Sequence, residues 1–339
     1  IINKLIMNII EETLISNLER FNLLDKKLVI GLSGGGDSTA LIIALKQIQK
    51  IIPSLYFEAF HVNYGIRKES DKDEKFVKYL CNRLDIKLII KNIKNENLKL
   101  KSDSENELRK IRYQLMSKYI IKSESYCLLT AHNLNDHIET FLMKLSRGTG
   151  LKGMEGINDY SILEDFEELK IYRPFIKIKK EDLLEYCLIN NEKPVYDVTN
   201  ENVKFSRNRI RKNVIPEFEK LNPDFLNTVN RLTKIIRELN DYQNKLVDKI
   251  FKKIKINESS LKISFKRIEF NLLESFEKKL IIKFKCESIS HSIFIESKHI
   301  DIIVDICKSK NNNFSLDLPG PIIIKGTKEK ISLEKLISK

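Results

Sequence analysis

The chain has 339 residues, 42% apolar and 32% charged, which supplies a buried core, excludes wholesale disorder and suggests two or three domains. A formal net charge of +13 points to an anionic partner, nucleic acid ahead of membrane surface, although heavy use of Ile, Lys and Asn places Lys at any solvated position. The five cysteines (Cys81, Cys127, Cys187, Cys286 and Cys307) form no C-x-x-C pair, and no apolar run has the length of a membrane span, so a zinc ribbon, an iron–sulfur site, a disulfide framework and a membrane protein are disfavoured and a cytoplasmic location is expected.

In chain order, residues 1–18 read as an amphipathic helix, because its acids do not suit a signal peptide. Short β-branched runs follow at 27–32, 55–63, 86–93 and 126–131, separated by helical patterns at 38–50, 69–84 and 103–122. Such alternation predicts an α/β fold whose parallel sheet is covered on both faces. Ligands of these sheets sit beyond the carboxyl ends of the strands. Three stretches fall there: the glycine loop after the first strand, His61–Arg67 after the second and Ala131–Thr140 after the fourth. The alternation fades after about residue 150, and 171–187 reads as a loop entering a helix. A long helix is expected from Asn222 to about Ile254, with Pro223 in its first turn, then helices at about 270–285 and 296–308 and short strands around 316–326. We expect boundaries near 218 and 256, giving a nucleotide domain (1–218), a mainly helical linker (219–256) and a small α+β domain (257–339).

The loop Gly31-Leu32-Ser33-Gly34-Gly35-Gly36-Asp37-Ser38-Thr39 begins like a Walker P-loop but carries Asp37 where that motif needs lysine. A conventional kinase or GTPase is therefore disfavoured. What remains is a backbone-amide nest at a helix N-terminus, suited to a pyrophosphate-sized anion, with Asp37 suited to bridging Mg²⁺. The simpler alternative is a tight turn with Asp37 as an N-cap, for which three consecutive glycines are excessive. Asp136 and Glu139, at i and i+3, project from one helix toward one side and suit either Mg²⁺ or an ammonium group. Their simpler reading is an acidic helix start. His132 suits adenine or phosphate, whereas His137 reads as structural. Five basic residues and no acid lie between Lys204 and Lys212, a run suited to RNA backbone or AMP, or to a solvated face.

Ser33-Gly34-Gly35-Gly36-Asp37-Ser38 resembles the S-G-G-x-D-S loop of the PP-loop (N-type) ATP pyrophosphatases, of the adenine nucleotide alpha hydrolase-like fold. Within them the chain is similar to the tRNA(Ile)-lysidine synthases. His61-Val62-Asn63-Tyr64-Gly65-Ile66-Arg67 resembles their H-V-N-H-G-L-R, and Leu108–Tyr113 resembles A-R-x-x-R-Y. Ala131–Thr140 matches G-H-H-x-D-D-Q-x-E-T at His132, Asp136, Glu139 and Thr140, and departs from it at Asn133 and Asn135. Arg147–Gly150, Arg173-Pro174, Arg207-Asn208-Arg209-Ile210-Arg211 and Leu316–Gly320 follow in family order.

The resemblance implies a ligase that joins L-lysine to C2 of the wobble cytidine of tRNA(Ile) with a CAU anticodon. The cytidine is first adenylated by ATP with Mg²⁺, and AMP and pyrophosphate are released. Asp37, Asp136, Glu139 and Arg112 would be catalytic, with Asp37 and Asp136 on the metal. Ser33, Gly34, Gly35, Gly36, Asp37, Ser38 and His132 would bind ATP. Asn63, Arg67, Arg109, Arg207, Asn208 and Arg211 would bind substrate or RNA. The third domain would contact tRNA, and the further C-terminal domain of longer members would be absent or truncated. Oligomeric state stays open, a homodimer being one option. Alternatives are a PP-loop tRNA thiolase, normally built on paired cysteines or an Fe–S cluster, a noncatalytic tRNA-binding protein with a residual loop, and an amidotransferase, for which no glutaminase-type domain precedes the loop.

Overall fold

The computed structural model describes residues 7–65, 70–93, 104–166, 168–195, 206–254, 257–259, 261–289, 296–309 and 313–336. It divides into two units, residues 1–236 and 237–339.

The first unit opens with helix α1 (Ile9–Arg20), whose start is set by a reciprocal capping box. Asn8 Oδ1 accepts from the Ile10 amide at 2.9 Å, and Glu11 reaches back to the Asn8 amide. Then come β1 (Lys27–Gly31), α2 (Gly36–Ile51), β2 (Tyr56–Asn63), α3 (Ser70–Arg83), β3 (Leu88–Asn92), α4 (Glu105–Lys122), β4 (Cys127–Leu129) and α5 (Leu134–Ser146). The alternation does not end there: β5 (Tyr160–Leu163) and β6 (Leu169–Tyr172) extend the sheet before α6 (Lys180–Ile189). The segment 171–187, expected as a loop entering a helix, does enter one at α6 but opens on the end of a strand. The run Leu169–Tyr172 is too short for its alternation to stand out from sequence, and only its neighbour β4 makes it a strand.

The sheet order is β3-β2-β1-β4-β6-β5, parallel except for β5, which pairs antiparallel with β6. Strand residues alternate between two apolar layers, as the two-residue period requires. Leu28, Ile30, Phe57, Ala59, Cys127, Leu129 and Tyr172 pack with residues of α1, α2, α3 and α6. Val29, Phe60, Val62, Leu128 and Ile171 pack on the other face with Ile111, Tyr113, Leu115, Met116 and Ile120 of α4. Chain order reverses between β1 and β4, so the crevice at their carboxyl ends is the topological switch point where such sheets take ligands.

Beyond α6, α7 (Ser206–Arg209) runs into a π-helical turn (Ile210–Val214) and α8 (Ile215–Leu221), and the long α9 spans Phe225–Lys253. Pro223 lies before α9 rather than within its first turn. Leu134, Ile138, Phe141 and Leu142 of α5 pack with Ile215, Leu226, Val229 and Ile236, which fixes the roll of α5 about its axis.

The second unit carries β7 (Asn257–Glu258), β8 (Lys262–Lys266), α10 (Arg267–Asn271), α11 (Ser275–Ile289), α12 (Ser297–Lys308), β9 (Phe314–Leu318), β10 (Ile322–Gly326) and β11 (Lys330–Lys335). Its antiparallel sheet has the order β7-β8-β11-β10-β9 and shares a core with Ile250 and Ile254 at the end of α9. The first unit is α/β with a mostly parallel sheet, and the second carries a small antiparallel sheet and helices. Among the described residues no helix is long and apolar enough to cross a membrane.

Candidate active site

The glycine loop joins β1 to α2, as its sequence demands. Gly34 has φ +92°, a left-handed conformation that a side chain would strain, and a Cβ on Gly36 would lie 2.3 Å from Leu184 Cδ2. Ser33 and Ser38 staple the loop: their hydroxyls are 3.0 Å apart, Ser38 Oγ accepts from the Ser33 amide at 3.2 Å, and it donates to the Gly35 carbonyl at 3.1 Å. The N-cap of α2 is Gly35, with no side-chain cap, so Asp37 is not the N-cap that the simpler reading made it. The Thr39 amide donates to the Gly35 carbonyl at 3.0 Å, which leaves the amides of Gly36, Asp37 and Ser38 ahead of the helix ladder. These donors and the helix dipole favour an anion there.

Asp37 is set against that favourable field. Its Oδ1 is buried and accepts no hydrogen bond among the described residues. Burial pushes the carboxyl up to about 6; Asp136 adds to the rise, and Lys180, Asn133 and Arg211 oppose it. A buried acceptor facing a second carboxylate is the donor chemistry that Mg²⁺ satisfies, since this ion takes one or two carboxylates and leaves its other positions to water and phosphate. No group of three or more His, Cys, Asp or Glu side chains suited to a metal occurs among the described residues.

Helix α5 brings the second set of residues. Asn133 is its N-cap: its Oδ1 accepts from the Asp136 amide at 3.0 Å, and Asp136 Oδ2 accepts from the Asn133 amide at 3.2 Å. Asn135 Oδ1 accepts from the Lys180 amide at 3.0 Å, tying α5 to the start of α6. The two departures from the family motif therefore serve as supports. Asp136 Oδ1 accepts from Arg207 Nη2 at 2.9 Å, and Glu139, with no exposed surface, accepts from Arg207 Nε at 2.7 Å and Arg211 Nε at 2.5 Å. The acids at i, i+3 on α5 thus meet arginines at i, i+4 across α7 and the π turn. Sequence reasoning gave these acids and arginines to different ligands, and the structure joins them in one cluster. Burial would raise the Asp136 carboxyl, but Arg207, the hydrogen bond from the Asn133 amide and Arg211 outweigh it and hold it below its usual range.

His132 lies just beyond β4, its Nδ1 2.8 Å from Thr130 Oγ1. Burial pushes its imidazole well below the usual range; Asp136 pulls it back, and Arg173, Arg112 and Arg109 add to the depression. Arg109 and Arg112 both approach the ring of Tyr113, their Cζ atoms 5.0 and 5.5 Å from its centroid. His137 is structural as expected, 3.0 Å from Thr233 Oγ1 and 2.9 Å from the Ile157 amide.

Other expected residues sit differently. Asn63 is buried and committed: its amide donates to Glu74 Oε2 at 2.7 Å and its carbonyl accepts from the Gly65 amide at 2.9 Å. Asn208 is buried in α7. Arg67 lies outside the described residues. Sequence reasoning gave no role to Lys180, which acts on Asp37, or to Arg173, which acts on His132. Extending the strand alternation to β6 would have drawn both into the carboxyl-end crevice.

A PP-loop domain profile matches residues 8–218. The tRNA(Ile)-lysidine synthase of Clostridioides difficile (strain 630) is 30% identical over 336 residues, covering 95% of this chain and 70% of its own length. That of Clostridium perfringens (strain ATCC 13124) is 32% identical over 305 residues, covering 88% of this chain and 62% of its own. The chain thus spans between 62% and 70% of the length of these two relatives. Among solved structures, the U34-tRNA thiolase NcsA from Methanococcus maripaludis superposes with a TM-score of 0.57 at 21% identity, covering 68% of this chain and 78% of that one, a likeness of fold. With its glycine loop, the matching profile and these relatives, the chain belongs to the tRNA(Ile)-lysidine synthase family of PP-loop, tRNA-modifying ligases.

Proposed function

We propose that the chain catalyses ATP-dependent joining of L-lysine to C2 of the wobble cytidine in tRNA(Ile) with a CAU anticodon, in the cytoplasm. In the first half-reaction the cytidine O2 attacks the α-phosphorus and pyrophosphate leaves. In the second the lysine ε-amine attacks C2, AMP leaves with the oxygen, and the amine gives up a proton. The observation that carries this reading is the meeting of a lysine-free glycine loop with two carboxylates and two arginines at the switch point of the sheet.

The loop amides and the start of α2 receive the departing pyrophosphate. Asp37 and Asp136 fit Mg²⁺, which when bound neutralises phosphate charge. Arg207 and Arg211 hold Asp136 and Glu139 in place until an ammonium group arrives. The carboxylates then take the ammonium and accept its proton. Arg109 and Arg112 face phosphate, and His132 stays neutral at physiological pH, suited to a base or phosphate oxygen. The thiolase alternative is weaker, because all five cysteines are buried and burial pushes each thiol up to about 12.

The test mixes the protein with ATP, Mg²⁺, labelled lysine and unmodified CAU-anticodon tRNA. Label in the tRNA with stoichiometric AMP supports the reading. Sulfur transfer from a donor without lysine transfer replaces it with the thiolase.

A further inference from the structure

The arginines of the crevice fall into two groups. Arg207 and Arg211 are matched by Asp136 and Glu139. Arg109, Arg112 and Arg173 make no ion pair within 4.0 Å of an acid among the described residues. Arg173 is the telling member, since it is 4% exposed and its Nε finds no acceptor. Its Nη1 donates to the Asn158 carbonyl at 2.8 Å. Beside it lies the buried Tyr113 hydroxyl, a neutral group that is its main favourable neighbour. The acid whose charge reaches Arg173, Asp159, is held by Arg20.

A buried guanidinium ordinarily sits against a carboxylate, because an unmatched buried charge is strongly unfavourable. Here its neighbours carry the same sign, both drawn over the Tyr113 ring. Topology fixes where this charge points. Strands β4 and β6 pair in parallel, Leu129 opposite Tyr172, and the Thr130 amide donates to the Tyr172 carbonyl at 3.0 Å. His132 and Arg173 therefore leave adjacent strands at the same carboxyl edge. The charges that reach Asp37 come from other cations, Lys180 and Arg211.

We propose that Arg173, with Arg109 and Arg112, forms a phosphate subsite beside His132 whose donors are separate from those of the glycine loop. The proposal rests on the ATP- and tRNA-dependent reading above. Guanidinium forks match phosphate oxygens two at a time, and a phosphate supplies the acceptor that Arg173 Nε lacks. Two sources share this chemistry, the nucleotide's own phosphate and a phosphodiester of the RNA.

Three proteins decide the matter: wild type, Arg173→Gln and the double variant Arg109→Gln/Arg112→Gln. Each is measured for thermal stabilisation by sulfate at constant ionic strength, for affinity toward ATP·Mg²⁺ by calorimetry, and for affinity toward an RNA hairpin with a CAU loop across a salt series. Sulfate is expected to stabilise the wild type more than the variants, in which only the glycine loop remains to hold it. One ligand is expected to lose about ten- to a hundredfold in affinity, the yield of a charge-assisted hydrogen bond. Loss confined to ATP identifies a nucleotide phosphate. Loss confined to RNA, with a salt slope lower by about one phosphate contact, identifies the phosphodiester. Arg109 is exposed and Arg112 half-buried, so the double variant carries the test if Arg173→Gln shows no cooperative melt. Folded variants that match the wild type in all three measurements overturn the subsite. A wild type that binds neither ATP nor RNA overturns the functional reading instead, and the sulfate comparison still decides the subsite.

Discussion

Two carboxylates of the first unit, Glu58 and Asp37, receive opposite treatment. Glu58, on β2 with no exposed surface, accepts from Tyr119 at 2.5 Å, Lys87 at 2.8 Å and Tyr56 at 2.9 Å. Burial would raise its carboxyl, but those donors and Lys27 outweigh burial and hold it below its usual range. Asp37, beyond the carboxyl end of β1, keeps a buried oxygen with no donor and is pushed up to about 6. A carboxylate that the fold completes belongs to stability, and one that it leaves incomplete is available to a ligand.

The largest test of this contrast is Asp37→Asn. Lysine transfer is expected to fall by about a thousandfold or more, a change of the size seen when electrostatic support of a phosphoryl step is lost. The metal-free protein should at the same time gain about 2–3 kcal/mol in denaturant unfolding at pH 8, because a carboxyl raised from 3.8 to about 6 opposes folding once ionised. Loss of activity without that gain would detach the pKa rise from burial. Glu58→Gln should do the reverse, lowering stability by about 2–4 kcal/mol while ATP affinity stays within twofold. A changed ATP affinity would break the division between the two carboxylates.

The same contrast has a pH signature. Asp37 has a folded value of about 6 against 3.8 when unfolded, so the native state holds the proton more tightly between these limits. Metal-free stability should therefore fall as pH rises from about 4 to 6 and lose nothing further to this group above that. Mg²⁺-dependent ATP affinity should run the other way, dropping up to about tenfold per pH unit below 6 and levelling above it, because proton and metal compete. Calorimetry from pH 5 to 8 checks the slope. The smallest effect is that of Asn133→Ala, which removes the α5 cap and should lower stability by about 1 kcal/mol by thermal melt. A much larger loss would mean that Asn133 supports Asp37 as well as the helix.

Local patterns already carried much of this architecture. Alternating β-branched runs and helical periods located β1 to β4 and α2 to α4 within a few residues, because period and propensity are properties of neighbouring residues. The glycine loop was legible for the same reason, since consecutive glycines and flanking serines are a backbone requirement. Strand β6 escaped because four residues hold too little periodicity and their strand identity comes from pairing with β4. Arg173, read only as part of the Arg173-Pro174 motif, and Lys180 were given no role for the same reason.

The sequence by itself determined the α/β class, the phosphate-type loop and the presence of acids and arginines in motif order. Only the tertiary structure decided which charges meet. Asp136 and Glu139 are separated from Arg207 and Arg211 by some seventy residues, and nothing local to either segment sets the 2.5 to 2.9 Å contacts between them. Packing of α5 against α8 and α9 orients the acids, and the order of the sheet sets Arg173 beside His132. Compensation of charge depends on distance through space, which pairing and packing create and chain order does not.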